Sequence, residues 1–141
     1  MADGLPELLR QLESSDPQVR GTAALGLARL NDPRAPQALA DTLNDLPNLL
    51  HYPYTQAVQA LIAMGDRALP VVAPLLQSPD PITRTRAWLV LRSVVQKRPG
   101  VGPWQALWVS LGSYAPEGDA ALRAAAAEQW REWVEQNARS G

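Results

Sequence analysis

One short string returns along this chain at a spacing that few architectures produce. Asp16-Pro17-Gln18-Val19-Arg20 recurs as Asp80-Pro81-Ile82-Thr83-Arg84, two repeat lengths further on. A unit between them is marked by Leu27-Ala28-Arg29-Leu30-Asn31-Asp32, which returns a single repeat length on as Leu61-Ile62-Ala63-Met64-Gly65-Asp66. Both copies run on into an Arg-Ala pair, Arg34-Ala35 and Arg67-Ala68, and a looser fourth copy begins at Leu122-Arg123, somewhat more than one repeat length after Arg84. A period of roughly 30–40 residues marks a chain built of stacked supersecondary units, each leaving an apolar face for the next to cover.

Aligning the copies gives columns that helix geometry interprets. The first reads Ala23, Ala57, Ala87 and Ala126; the second, four residues on, reads Leu27, Leu61, Leu91 and Trp130; the third, three further, reads Leu30, Met64, Val94 and Trp133. Steps of four and three lie on one face of a helix. Alanine lets a neighbouring helix come close, and each bulky side chain adds roughly 1.5–3 kcal/mol when buried.

The punctuation agrees. Asp16, Asp80 and Asp119 suit helix N-caps, and Pro17 and Pro81 stand where a first helical residue has no N–H to satisfy. Pro33, Pro36, Pro70 and Pro74 fall at or just inside second helices, with Pro74 late enough to predict a kink. The pattern predicts helices over 5–14, 17–30, 34–46, 54–64, 67–77, 81–97, 103–111 and 119–138, and no segment alternates as a strand does.

The string DPQVRGTAALGLARLNDPRAPQAL resembles a unit of the HEAT-like repeats found in phycobilisome lyases and bacterial adaptor proteins. The resemblance spans about 16–133 and is strongest in 16–39. The second unit departs from it, opening with HYPYTQAV, and the third replaces the Asp-Pro-Arg-Ala turn with Gln96-Lys97-Arg98-Pro99-Gly100. The resemblance implies an all-α fold, a short right-handed α-solenoid of antiparallel helix pairs with about three to four repeats, second helices lining a concave face. The expected organisation is a single domain over 1–141: a cap helix at 5–14, repeats at 16–46, 51–77 and 80–112, and a C-terminal cap helix at 118–138.

Composition narrows the chemistry. With no cysteine there is no disulfide, thiolate nucleophile or cysteine-held metal, and a single histidine, His51, excludes histidine-rich metal sites within one chain. No phosphate-cradling glycine loop, zinc-protease pair or calcium loop is present. The expectation is therefore no catalytic residue, no metal and no cofactor. The start lacks a basic stretch leading into an apolar one, and no uninterrupted apolar run of about 18 residues occurs. The chain is expected to be cytoplasmic, with no membrane partner.

Net charge is −1, but the charges are uneven. Residues 77–116 carry five basic side chains against one acidic, yet Arg84, Arg86, Arg92, Lys97 and Arg98 are spread around a helix rather than drawn into one stripe. Nucleic acid is thus not the expected partner. Arg20, Arg84 and Arg123 share one repeat position, and Asp32 and Asp66 another; these are read as capping and bridging residues that fix how neighbouring turns stack.

The residues placed at a partner-binding surface are Asp41, His51, Tyr52, Tyr54, Trp104 and Trp108. His51-Tyr52-Pro53-Tyr54 is the least repeat-like stretch, with two of the three tyrosines in a loop, where function on rigid scaffolds tends to sit. A base at His51 needs a carboxylate such as Asp41 or Asp45 beside it. Trp104, Leu107, Trp108 and Leu111 follow helical spacing, so most of their area is expected in the core, with one indole facing a groove as a binding anchor. Trp88 is the candidate for an enlarged contact between units.

Two ends need caps, and Leu5, Leu8, Leu9 and Leu12 at one end and Trp130 and Trp133 at the other supply the apolar residues for them. An open cap would invite association, so the chain is expected to be a monomer or weak homodimer. The function expected is a non-enzymatic interaction module, an adaptor or scaffold binding a protein or peptide on its concave helical surface. A bilin lyase-like enzyme subunit and a non-specific DNA-binding protein are the alternatives that the resemblance raises.

Overall fold

The computed structural model describes residues 4–45 and 55–138, and these are helix and connecting turn with no β-strand among them. The α-helices are α1 (Leu5–Gln11), α2 (Pro17–Arg29), α3 (Ala35–Asp41), α4 (Gln56–Met64), α5 (Leu69–Val72), α6 (Pro81–Gln96), α7 (Trp104–Ser110) and α8 (Ala120–Ala138). The all-α class and the helical-repeat pattern are thereby met. The chain divides into two compact units, Met1–Met64 and Gly65–Gly141, with the boundary inside the expected second repeat.

In the first unit α2 packs against α1, α3 and α4. Asp16 caps α2, its carboxylate accepting from the Gln18 N–H at 2.9 Å, and Ser14 Oγ accepts from the Asp16 N–H at 3.1 Å. A turn of a few residues then reverses the chain into α3, as antiparallel helix pairs require. Asp32 organises that turn: its carboxylate accepts from the Arg34 N–H at 2.8 Å and from Arg34 Nε at 2.9 Å. The Arg34 guanidinium holds the Asp32 carboxyl below its ordinary value. Ala23, Ala24, Leu27, Ala35 and Leu39 are fully buried here. Gly26 lets α1 approach: a Cβ there would meet the end of the Leu8 side chain at 2.8 Å. Leu5, Leu8, Leu9 and Leu12 are half-buried, so α1 covers α2 as a cap does.

Buried Thr55 opens α4. Its hydroxyl accepts from the Val58 N–H at 3.0 Å and donates to the Leu43 carbonyl at 3.1 Å, joining the start of α4 to the end of the first hairpin.

In the second unit α5 and the 3-10 turns on either side of it, Gly65–Ala68 and Ala73–Gln77, replace the continuous helix expected over 67–77. Pro70 is tolerated in a first turn, whereas Pro74 removes a donor further along, and the chain tightens into the 3-10 form at that point. Both α6 and α8 pack against α5 and Ala73–Gln77. Leu69, Val72, Leu76, Val90, Leu91, Val95 and Trp130 are fully buried there.

The stretch Gln56–Gln77 is long and apolar enough by length and composition to cross a membrane, with a mean hydropathy of 1.2 over an 18-residue window within it. Asp66 and Arg67 interrupt it, its helix gives way to 3-10 turns, and its residues Ala57, Val58 and Leu61 belong to the first core and Leu69, Val72 and Leu76 to the second. Its apolar content is what two small cores require.

The alanine and second columns are buried throughout, none of their members more than 4% exposed. The third is not. Val94 is buried, but Leu30 is 41% exposed because α2 ends at Arg29 and Leu30 is already its C-cap. In α8 the position is displaced by one, Val134 being buried and Trp133 half-buried.

Candidate interaction surface

The surface of interest is built on α7, and its local sequence explains its shape. Pro103 precedes the helix, Gly102 adopts a φ of 78°, and after Ser110 the chain turns sharply at Gly112, φ 98°, and Ser113, φ 55°. No residue of α7 is buried. Trp104, Leu107, Trp108 and Leu111 are all half-buried, Gln105 and Ala106 are exposed, and Val109 is 55% exposed. Most of the area of both tryptophans is covered, as their spacing leads one to expect, and a minor part of each reaches solvent.

An aromatic cluster underlies the helix. Trp88 on α6 is its hub, with ring centroids 5.8 Å from Trp104, 4.9 Å from Tyr114 and 5.7 Å from Trp130. Trp104 stacks on Trp130 at 5.7 Å and 25°, and Trp130 meets Trp133 edge-on at 5.6 Å. Such pairs are worth about 0.5–1.5 kcal/mol each beyond the area they bury. The Trp130 indole N–H is buried without a hydrogen-bond partner among the described residues, its ring wholly given to packing. Trp108 donates from Nε1 to the Tyr114 carbonyl at 2.9 Å, which fixes its ring and the turn that follows α7.

Tyr114 was not singled out by spacing or motif. It is almost fully buried, and its hydroxyl donates to the Leu76 carbonyl at 2.6 Å. Burial pushes its phenol up to about 12.

Arginines fasten the backbone. Arg84 Nη1 donates to the Ser78 carbonyl at 2.8 Å and Nε to the Pro116 carbonyl at 2.9 Å. Arg20 does the same in the first unit, reaching the Ser14 carbonyl at 2.9 Å and the Asp45 carboxylate at 3.1 Å. Arg123 donates to the Gly118 carbonyl at 2.8 Å. Each ties the start of a helix to its preceding turn, and Arg20 and Arg84 also reach the segment after the following helix. Asp32 and Asp66 part company: the first pairs with its neighbour Arg34, the second with Arg98 at 2.6 Å. Arg98 also lies over the Trp133 ring at 5.6 Å, beside a cleft of about 150 Å³ lined by Arg98, Val101, Leu107 and Trp133.

The other expected partner-binding residues fare differently. Asp41 ends α3, exposed, and accepts from Gln37 Nε2 at 2.8 Å, a pairing within its own helix. Asp45 is committed to Arg20. His51, Tyr52 and Tyr54 lie outside the described residues. Trp104 and Trp108 are the two that the structure brings together, one turn apart on α7. Trp88, the candidate for an enlarged contact, is the centre of the cluster; missed were Tyr114 as its anchor and Thr55 as a cap. Thr55 could have been found from its place three residues before Val58; no sequence signal pointed to Tyr114.

Among the described residues no group of three or more histidine, cysteine, aspartate or glutamate side chains is placed to hold a metal ion. Residues 1–50 match the family model of HEAT repeats. No curated protein gives a significant match, and neither does any solved structure. The repeat resemblance is thus supported over residues 1–50, at the level of HEAT repeats and without phycobilisome-lyase specificity.

Proposed function

We propose that this chain is a non-enzymatic protein-interaction module, an adaptor that binds a protein or peptide through the α7 surface of its second unit. HEAT repeats commonly serve as interaction modules, and the match over residues 1–50 supports the reading at that level. The observation that carries it is α7 itself: an uncharged helix, WQALWVS, that fully buries none of its residues, leaves two indoles partly exposed and Val109 open to solvent. Aromatic anchors set in a rigid frame lose little conformational entropy when a partner covers them, which is why tryptophan is enriched among residues that dominate binding energy. The aromatic cluster beneath α7 provides that frame. Cytoplasmic location belongs to the same proposal.

The test is selection of a random peptide library against the immobilised chain, followed by competition with a Val109→Asp variant. Enriched peptides that bind the parent chain saturably and lose about tenfold or more on the variant, as placing a charge at a desolvated contact does, support the reading. A library that yields no saturable binder from a folded chain contradicts it.

A further inference from the structure

We infer that the α7 surface selects an acidic peptide, one that sets a carboxylate on Arg92 beside Trp104 and an apolar side chain against α7; this rests on the interaction-module reading above. From Pro81 to Pro116 the chain contains no aspartate or glutamate, against five cations. The structure disposes of three of them. Arg84 is buried on the Ser78 and Pro116 carbonyls, Arg86 is buried, and Arg98 pairs with Asp66. Arg92 and Lys97 remain exposed, and among the described residues no carboxylate lies within ion-pair distance of either.

Arg92 is also placed. Its guanidinium carbon stands 6.0 Å from the centre of the Trp104 ring. A guanidinium held over an indole face keeps N–H donors for a planar acceptor, and a carboxylate matches that fork in two parallel hydrogen bonds. On α7, which carries no charge, Trp104 and Trp108 offer partly exposed apolar area, and Val109 is open to solvent. Cation and apolar area together suit a segment that alternates acidic and aliphatic residues. A nucleic acid suits them less: two exposed cations neutralise few phosphates, and phosphate neutralisation supplies most of non-specific affinity.

The experiment measures fluorescence anisotropy of labelled probes with the full chain: a peptide of alternating glutamate and leucine, the same peptide with glutamine for every glutamate, and a single-stranded oligonucleotide. The acidic peptide is expected to saturate and to weaken as salt is raised, with the glutamine peptide and the oligonucleotide weaker by about tenfold or more. Arg92→Gln is expected to weaken the acidic peptide by about fivefold. Ala106→Asp puts a carboxylate on the exposed face of α7 near its first turn, where helices favour one, so it repels the peptide without costing the fold. Equal binding of the glutamine peptide, tighter binding of the oligonucleotide, or unchanged affinity in both variants overturns the inference. A peptide library that enriches neutral or basic sequences sensitive to Val109→Asp overturns it while leaving the interaction module standing; a library that enriches nothing brings down both.

Discussion

The Tyr114 hydroxyl donates to the Leu76 carbonyl at 2.6 Å, joining the turn after α7 to the 3-10 segment that α6 and α8 pack against. That carbonyl sits where Pro74 has already disturbed regular helix, and the bond satisfies it in the core. Tyr114→Phe removes the donor and leaves the acceptor buried, at a cost of about 1–3 kcal/mol. Denaturant unfolding of the variant, with an unchanged slope and a lower midpoint, is the expected result.

The same residue gives a pH dependence. Its phenol titrates near 12 in the folded chain against 10 in a free tyrosine, so between those values the folded state holds a proton that the unfolded state has released. Its contribution is fully present below pH 10 and is lost as pH rises toward 12, with a ceiling of roughly 3 kcal/mol over that window. Unfolding titrated between these pH values should show the loss in the parent chain and a smaller one in Tyr114→Phe.

Gly112 holds a position where a side chain would be strained both by backbone conformation and by a close neighbour. It has a φ of 98°, and a Cβ would meet Ala126 Cβ at 3.0 Å and the Ala126 backbone Cα at 3.2 Å, on a residue of the fully buried column. Gly112→Ala is expected to lose about 1–3 kcal/mol from the backbone conformation alone and more from the close approach. Gly26→Ala, which meets only the mobile end of Leu8, is expected to lose less; comparing their thermal midpoints checks the ordering.

Arg20 and Arg84 occupy one repeat position and make the same reach to the carbonyl six residues before them. Replacing either with Met keeps the aliphatic stem and strips the donors. Arg84→Met leaves two carbonyls unmet, while Arg20→Met frees one carbonyl and the part-buried Asp45 carboxylate. Each is expected to destabilise by about 1–3 kcal/mol, read by chemical denaturation.

The legible part of the fold was the part that repeats. Asp16 and Asp80 cap helices as their Asp-Pro strings suggest, because the cap is a local bond between neighbours in sequence. Ala23 and Leu27, with their counterparts, are buried because helical periodicity is set by the backbone and not by tertiary context. The third column failed at Leu30, where the helix stops one residue short, and boundaries are the least local feature of a helix. The 3-10 character of Ala73–Gln77 followed from Pro74, read as a kink. The surface was half legible: tryptophan spacing placed Trp104 and Trp108 together on α7, but not their depth. That depth depends on Trp88, which approaches from α6, and on Tyr114, which bonds back to Leu76 in the 3-10 segment before α6. Long-range packing of this kind leaves no spacing to read.

The most direct test of the account is amide hydrogen exchange of the full chain with and without a saturating peptide from the library. Docking on α7 predicts that added protection concentrates in Trp104–Ser110 and the adjoining turn through Tyr114, with α2 and α3 unchanged. Protection confined to Pro17–Asp41, with α7 exchanging as in the free chain, would contradict it.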